Sequence, residues 1–147
     1  LHGGVPDTLE QEGWQIFRAP LSEYLWFLWR DAGSPACQNW ADGMAKLSRL
    51  LGPRSSFSPE AEALRDTADR LLPGFAGANG RYRLAKGLEL GGRCAGLLTM
   101  APRYENTTTV LEMTGALDSV PHLHLAMDRD WDENTWSRLR SFLYYLR

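Results

Sequence analysis

Apolar positions recur every three or four residues through most of the first half of the chain, and at every second residue through much of the second half. Helical spacing first appears after Pro20, where a missing N–H costs nothing at a first helical turn. Leu21, Leu25 and Leu28 then share one face, and Gly33 is placed to end the helix. A second helix opens with Ser34 as cap and Pro35 as its first residue. Cys37, Trp40, Met44, Leu47 and Leu51 follow on one stripe, and Gly52-Pro53 stops it. A third repeats the opening at Ser58-Pro59, with Glu60 and Glu62 at the positive end of the helix dipole. Ala61, Leu64, Ala68 and Leu71 form its buried stripe, and Pro73 ends it. The last helix starts near Asp132 or Asn134 and turns Trp136, Leu139, Phe142, Leu143 and Leu146 inward.

The remaining segments read as strands. Trp14 to Ala19 is a short aromatic-containing apolar run. After the glycine-rich stretch from Gly74 to Gly80, Tyr82, Leu84, Leu88 and Leu90 alternate against Arg81, Arg83 and Glu89. Gly91-Gly92 then gives a hairpin signal, with Arg93 to Ala101 as the returning strand. Thr107 to Leu117 is β-rich, Asp118 to Pro121 turns the chain, and His122 to Met127 alternates strictly. The order is strand, three helices, an antiparallel meander of about four strands and a C-terminal helix, an α+β architecture. Residues 1–13 read as a flexible N-terminal arm, and residues 14–147 as a single α+β domain.

With 147 residues, 44% of them hydrophobic, the chain is long enough to bury a core. Sixteen Lys and Arg against eighteen Asp and Glu give a net charge of -2, which argues against whole-surface attraction to nucleic acid or anionic membrane. No apolar run reaches the roughly eighteen residues of a transmembrane helix. Cys37 and Cys94 are too few for a disulfide framework or a cysteine zinc site; one bond between them stays open, and two small buried hydrophobes is the favoured reading. No signal peptide is visible, and the compartment stays open.

Four constellations bear on chemistry. His122 and His124 lie two apart on a strand and project together, with Asp128 and Asp130 near enough to complete a metal set; the alternative is a solvent-facing strand side. The acids from Asp128 to Asn134 fail as a calcium loop, because Glu133 stands where glycine is needed and Leu139 where a bidentate Glu is needed. They favour the N-terminus of the last helix instead. Arg81, Arg83, Lys86, Arg93 and Arg103 suit either a phosphate or an acidic partner, or else a charged outer strand face. Tyr24, Trp26, Phe27 and Trp29 exceed what one face of a short helix absorbs, so they are interface anchors or that helix is buried on nearly all sides. There is no Gly-x-Ser-x-Gly elbow, no P-loop and no Gly-x-Gly-x-x-Gly.

Across about two-thirds of the chain the element order resembles that of the GCN5-related N-acetyltransferases. Gly87 to Met100 looks like that family's central hairpin, and Thr109 to Pro121 (TVLEMTGALDSVP) like its fourth strand and following turn. The resemblance implies acetyl-CoA as cofactor, Glu112 near the place of a general base, and backbone groups of Met113 to Gly115 facing the pantetheine arm. The family's pyrophosphate loop has no counterpart after Pro121.

These observations lead first to a protein-interaction domain of the kind found in larger secreted or regulatory proteins. It would need no cofactor and bind another protein through Tyr24, Trp26, Trp29, Arg81, Arg83 and Arg93. An acyl-CoA-dependent acetyltransferase using Glu112 is the first alternative. A metal-dependent hydrolase using His122 and His124 with Asp128 and Asp130 is the second.

Overall fold

A computed structural model describes residues 4–51, 61–75, 77–102, 114–127 and 131–147. Among these residues the chain forms six helices and two strands: α1 Gly4–Gln11, α2 Leu21–Asp31, α3 Pro35–Leu51, α4 Ala61–Leu71, α5 Ala78–Gly91, β1 Leu97–Pro102, β2 His122–Met127 and α6 Glu133–Tyr145. None of these helices is long and apolar enough to cross a membrane.

The punctuated helices stand where the sequence puts them. Gly33 ends α2 at φ +66°, in the left-handed region that favours glycine. Asp132 caps α6 by accepting a hydrogen bond from the Thr135 backbone N–H at 2.7 Å. The rotation of two helices differs from expectation, however. On α2 the buried residues are Glu23, Trp26 and Phe27, while Leu21 is 69% exposed and Leu25 is also outside. On α3 the residue at the core is Ala41, and Trp40 and Leu47 of the anticipated buried stripe face out. Two large aromatic rings bury more area than two leucines, and this settles which side of α2 turns inward.

The anticipated N-terminal arm contains α1, whose Val5 and Leu9 bury against Leu139 of α6. Trp14 to Ala19 is extended but lies in no sheet; the Trp14 N–H returns to the Leu9 carbonyl behind α1. The largest correction concerns residues 81–90, expected as a strand and found in α5. No residue from Ala78 to Gly92 is β-branched, so intrinsic preference favours helix. The alternation misleads because α5 is buried on several sides, with Arg81 and Lys86 inside alongside Tyr82, Leu84 and Leu90. Gly91-Gly92 makes no hairpin: Gly91 closes the helix and Gly92 caps it at φ −78°. A Cβ on Gly91 would lie 2.5 Å from Val120, so the glycine permits close approach of the 114–121 segment.

The antiparallel meander is absent from the described residues. β1 and β2 pair in parallel, in register from Leu97↔His122 to Pro102↔Met127. Parallel neighbours need a long crossover, and residues 103–121 supply it. Within that crossover 107–113 of the expected strand lie outside the described residues. Its last part is not a strand: Gly115 takes a φ of +58°, and residues 116–119 form a turn, with the Asp118 N–H on the Gly115 carbonyl at 3.1 Å.

Three apolar clusters organise the packing. Trp26, Phe27, Ala41, Leu64, Ala68, Tyr82 and Ala85 join α2, α3, α4 and α5. Leu84, Leu90, Leu97 and Leu117 carry α5 onto β1 and the crossover. Val5, Leu9 and Leu139 hold the third, with Leu98 and Leu123 of the sheet packed against it. α5 belongs to two of the three, which makes it the axis of the molecule.

Candidate functional site

The charged residues of α5 point to named partners. Glu23 on α2 is fully buried and binds α5 at two places. The Tyr82 hydroxyl donates to its Oε1 at 2.7 Å, and the Lys86 ammonium donates to its Oε2 at 3.1 Å. Lys86 also donates to Glu89 at 2.6 Å, and Arg93 donates to the other Glu89 oxygen at 3.2 Å. One residue before Tyr82, and so on a different side of the helix, Arg81 bridges Asp31 of α2 and Asp69 of α4.

This closed arrangement decides its chemistry. Burial pushes the Tyr82 phenol well above its ordinary value, and the Glu23 carboxylate pushes it the same way. The hydroxyl therefore stays a donor and does not become a base. For Lys86, burial alone favours the neutral amine, but Glu89 and Glu23 outweigh it and hold the ammonium above its ordinary range. A charged, buried lysine with its protons engaged is no nucleophile. The network is a structural tie.

These contacts redraw the anticipated binding set. Trp26 is 2% exposed and Arg81 is buried, so neither reaches a partner as the molecule stands. Tyr24 packs at 5.2 Å on Tyr82. Arg83 is half-buried and donates to the Met100 carbonyl at 3.3 Å. Arg93 is exposed beside Glu89. Trp29 is half-buried, its ring 5.7 Å from that of Trp40.

The histidines do share β2. His122 is exposed and donates through Nδ1 to the Val120 carbonyl at 3.0 Å; His124 is half-buried and shares a 2.8 Å hydrogen bond with the Thr99 hydroxyl. Asp128, Asp130, Glu112 and Met113 lie outside the described residues. Among the described residues no group of three or more His, Cys, Asp or Glu side chains could hold a metal.

What the sequence pattern left aside is the outward face of α3. Trp40 is 64% exposed, Leu50 is 84% exposed, and Leu47 is also outside. A shallow, largely open groove of about 280 Å³ lies beside Trp40, lined by Asn39, Trp40, Gly43 and Met44. It lies between the ridge of Asn39 and Gly43 and the ridge of Trp40 and Met44, the kind of furrow that accepts side chains of a crossing helix. Among the described residues, the backbone of the helix itself aside, nothing approaches within 4 Å of where a Gly43 Cβ would stand, so the groove is open at its centre. The signal for it lies in the spacing of Ala36, Trp40, Gly43, Leu47 and Leu50, which shares Trp40 and Leu47 with the expected buried stripe but is turned to one side of it. Comparison with family models, characterised proteins and solved structures finds no match to this chain.

Proposed function

We propose that the chain is a protein-interaction domain that docks through the outer face of α3. The supporting observation is Trp40, mostly exposed, braced on Trp29 and standing beside an apolar furrow. Exposed tryptophan next to a pocket is the chemistry of an interface anchor. The buried polar groups of α5 add weight, because their hydrogen bonds are spent on the fold. In this reading Trp40 of α3, with Trp29, carries the aromatic role expected of Tyr24, Trp26 and Trp29 on α2, and the exposed Arg93 stands apart from them, two residues past the end of α5.

Two measurements test it. Thermal unfolding with acetyl-CoA, and in parallel with EDTA, is expected to show no shift. A ligand at about a hundred times its dissociation constant adds ~2.7 kcal/mol, or several degrees. A clear acetyl-CoA shift overturns the proposal in favour of the acyltransferase and makes Glu112 the next residue to change. Loss of stability in EDTA turns attention to His122 and His124. In the second measurement a photo-reactive tryptophan analogue, which keeps the indole, replaces Trp40, and the captured protein is identified and purified. Its affinity for the unmodified chain should fall about tenfold or more in Trp40→Ala; an unchanged affinity removes α3 as the docking face.

A further inference from the structure

We infer that the α3 face receives a second copy of this chain, α3 lying antiparallel on α3 with Trp40 of each copy seated over Gly43 of the other. The inference rests on the interaction-domain reading and names its partner.

The spacing of Ala36, Trp40, Gly43, Leu47 and Leu50 alternates four and three, the repeat that keeps one helix against another. Symmetry then narrows the register. In a two-fold pair whatever one copy presents must fit the same surface on its mate. With the axis between positions 41 and 42, Trp40 meets Gly43 and Leu47 meets Ala36, so each bulky side chain faces a small one on both sides of the axis. The groove lined by Asn39, Trp40, Gly43 and Met44 is then the seat of the incoming indole. At the rim Lys46 faces Asn39. The next register along sets Lys46 against Lys46 and Trp40 against Leu50, which places like charges and two large side chains together. Trp40, Leu47 and Leu50 offer on the order of 300 Å² of apolar surface per copy, well below the roughly 800 Å² per partner of a stable specific interface and within reach only of a weak, transient one. The expected dimer is therefore weak and appears as concentration rises.

Sedimentation equilibrium of the whole chain over a concentration series reads this directly. The wild type should move from monomer towards dimer. Gly43→Leu fills the groove and should hold the chain monomeric, with a melting temperature equal to or above the wild type, which separates loss of association from loss of fold. Asn39→Glu should tighten the dimer several-fold by facing Lys46 with a carboxylate, and Asn39→Lys should loosen it several-fold. A dimer indifferent to Gly43→Leu, or one that responds alike to both Asn39 variants, overturns this register. A wild type monomeric throughout, while the purified partner captured at position 40 still binds in a Trp40-dependent way, overturns the second copy and leaves the interaction-domain reading standing. Monomer together with no Trp40-dependent binding overturns both.

Discussion

Helices α3 and α5 treat their residues in opposite ways. α5 takes Arg81 and Lys86 into the interior and satisfies them with Asp31, Asp69, Glu23 and Glu89. α3 places Trp40, Leu47 and Leu50 outside. Residue type alone would have exchanged the two, sending the arginines to a partner and the tryptophan to the core. The difference teaches that availability for binding depends on what remains after the fold has used its side chains. A buried charge must be answered locally, because the cost of leaving it unpaired is several kcal/mol. An exposed tryptophan is under no such obligation.

Mutations can break this contrast, and the largest effect belongs to α5. Glu23→Ala removes the acceptor shared by Tyr82 and Lys86 and is expected to cost about 3–5 kcal/mol, read by urea denaturation. A loss below about 1 kcal/mol would show that Glu89 alone suffices for Lys86. Tyr82→Phe keeps the ring and removes one hydrogen bond to a charged acceptor; about 1.5–3 kcal/mol is expected, since Glu23 loses one of its donors.

Alkaline pH sharpens the same picture. Tyr82 and Lys86 both have folded-state values raised above ordinary ones of 10.0 and 10.5. Their contribution is complete below about pH 10, where both states hold the protons. Above that, the unfolded chain releases protons that the folded chain retains, and stability falls as pH rises. Melting temperatures from pH 8 to 11 should decline more steeply in the wild type than in a Tyr82→Phe, Lys86→Met double variant.

On α3 the signs reverse. Gly43→Ala is expected to stabilise the monomer by about 0.5–1 kcal/mol, because the position is helical and the added methyl meets nothing. The smallest effect is that of Trp40→Ala on stability, within about 0.5–1 kcal/mol, since little but the Trp29 ring contact is lost. A larger loss would mean that Trp40 belongs to the core after all.

The sequence showed this contrast unevenly. α2, α3 and α4 are legible from the prolines, serines and glycines at their ends, and α6 from Asp132 and the apolar spacing of Trp136, Leu139, Phe142, Leu143 and Leu146. β2 is legible from strict alternation, and β1 falls largely within the expected strand from Arg93 to Ala101, but their parallel pairing is not legible, because pairing across residues 103–121 leaves no local trace. α5 is hidden in the sequence because an apolar period marks a helix only where polar residues face water, and Arg81 and Lys86 do not. Glu23 was missed for the same reason. Trp40 was seen but assigned inward, as one apolar stripe gives no sign of which of two faces a neighbour covers.

The packing of Val5 and Leu9 on Leu139 has a kinetic consequence. It joins residues separated by nearly the whole length of the chain, and such long loops close late because the ordering cost precedes the reward. α1 should therefore be the last helix to dock and the first to leave. Its amides should exchange with solvent by partial opening, well ahead of those in α5, whose release awaits unfolding of the entire molecule.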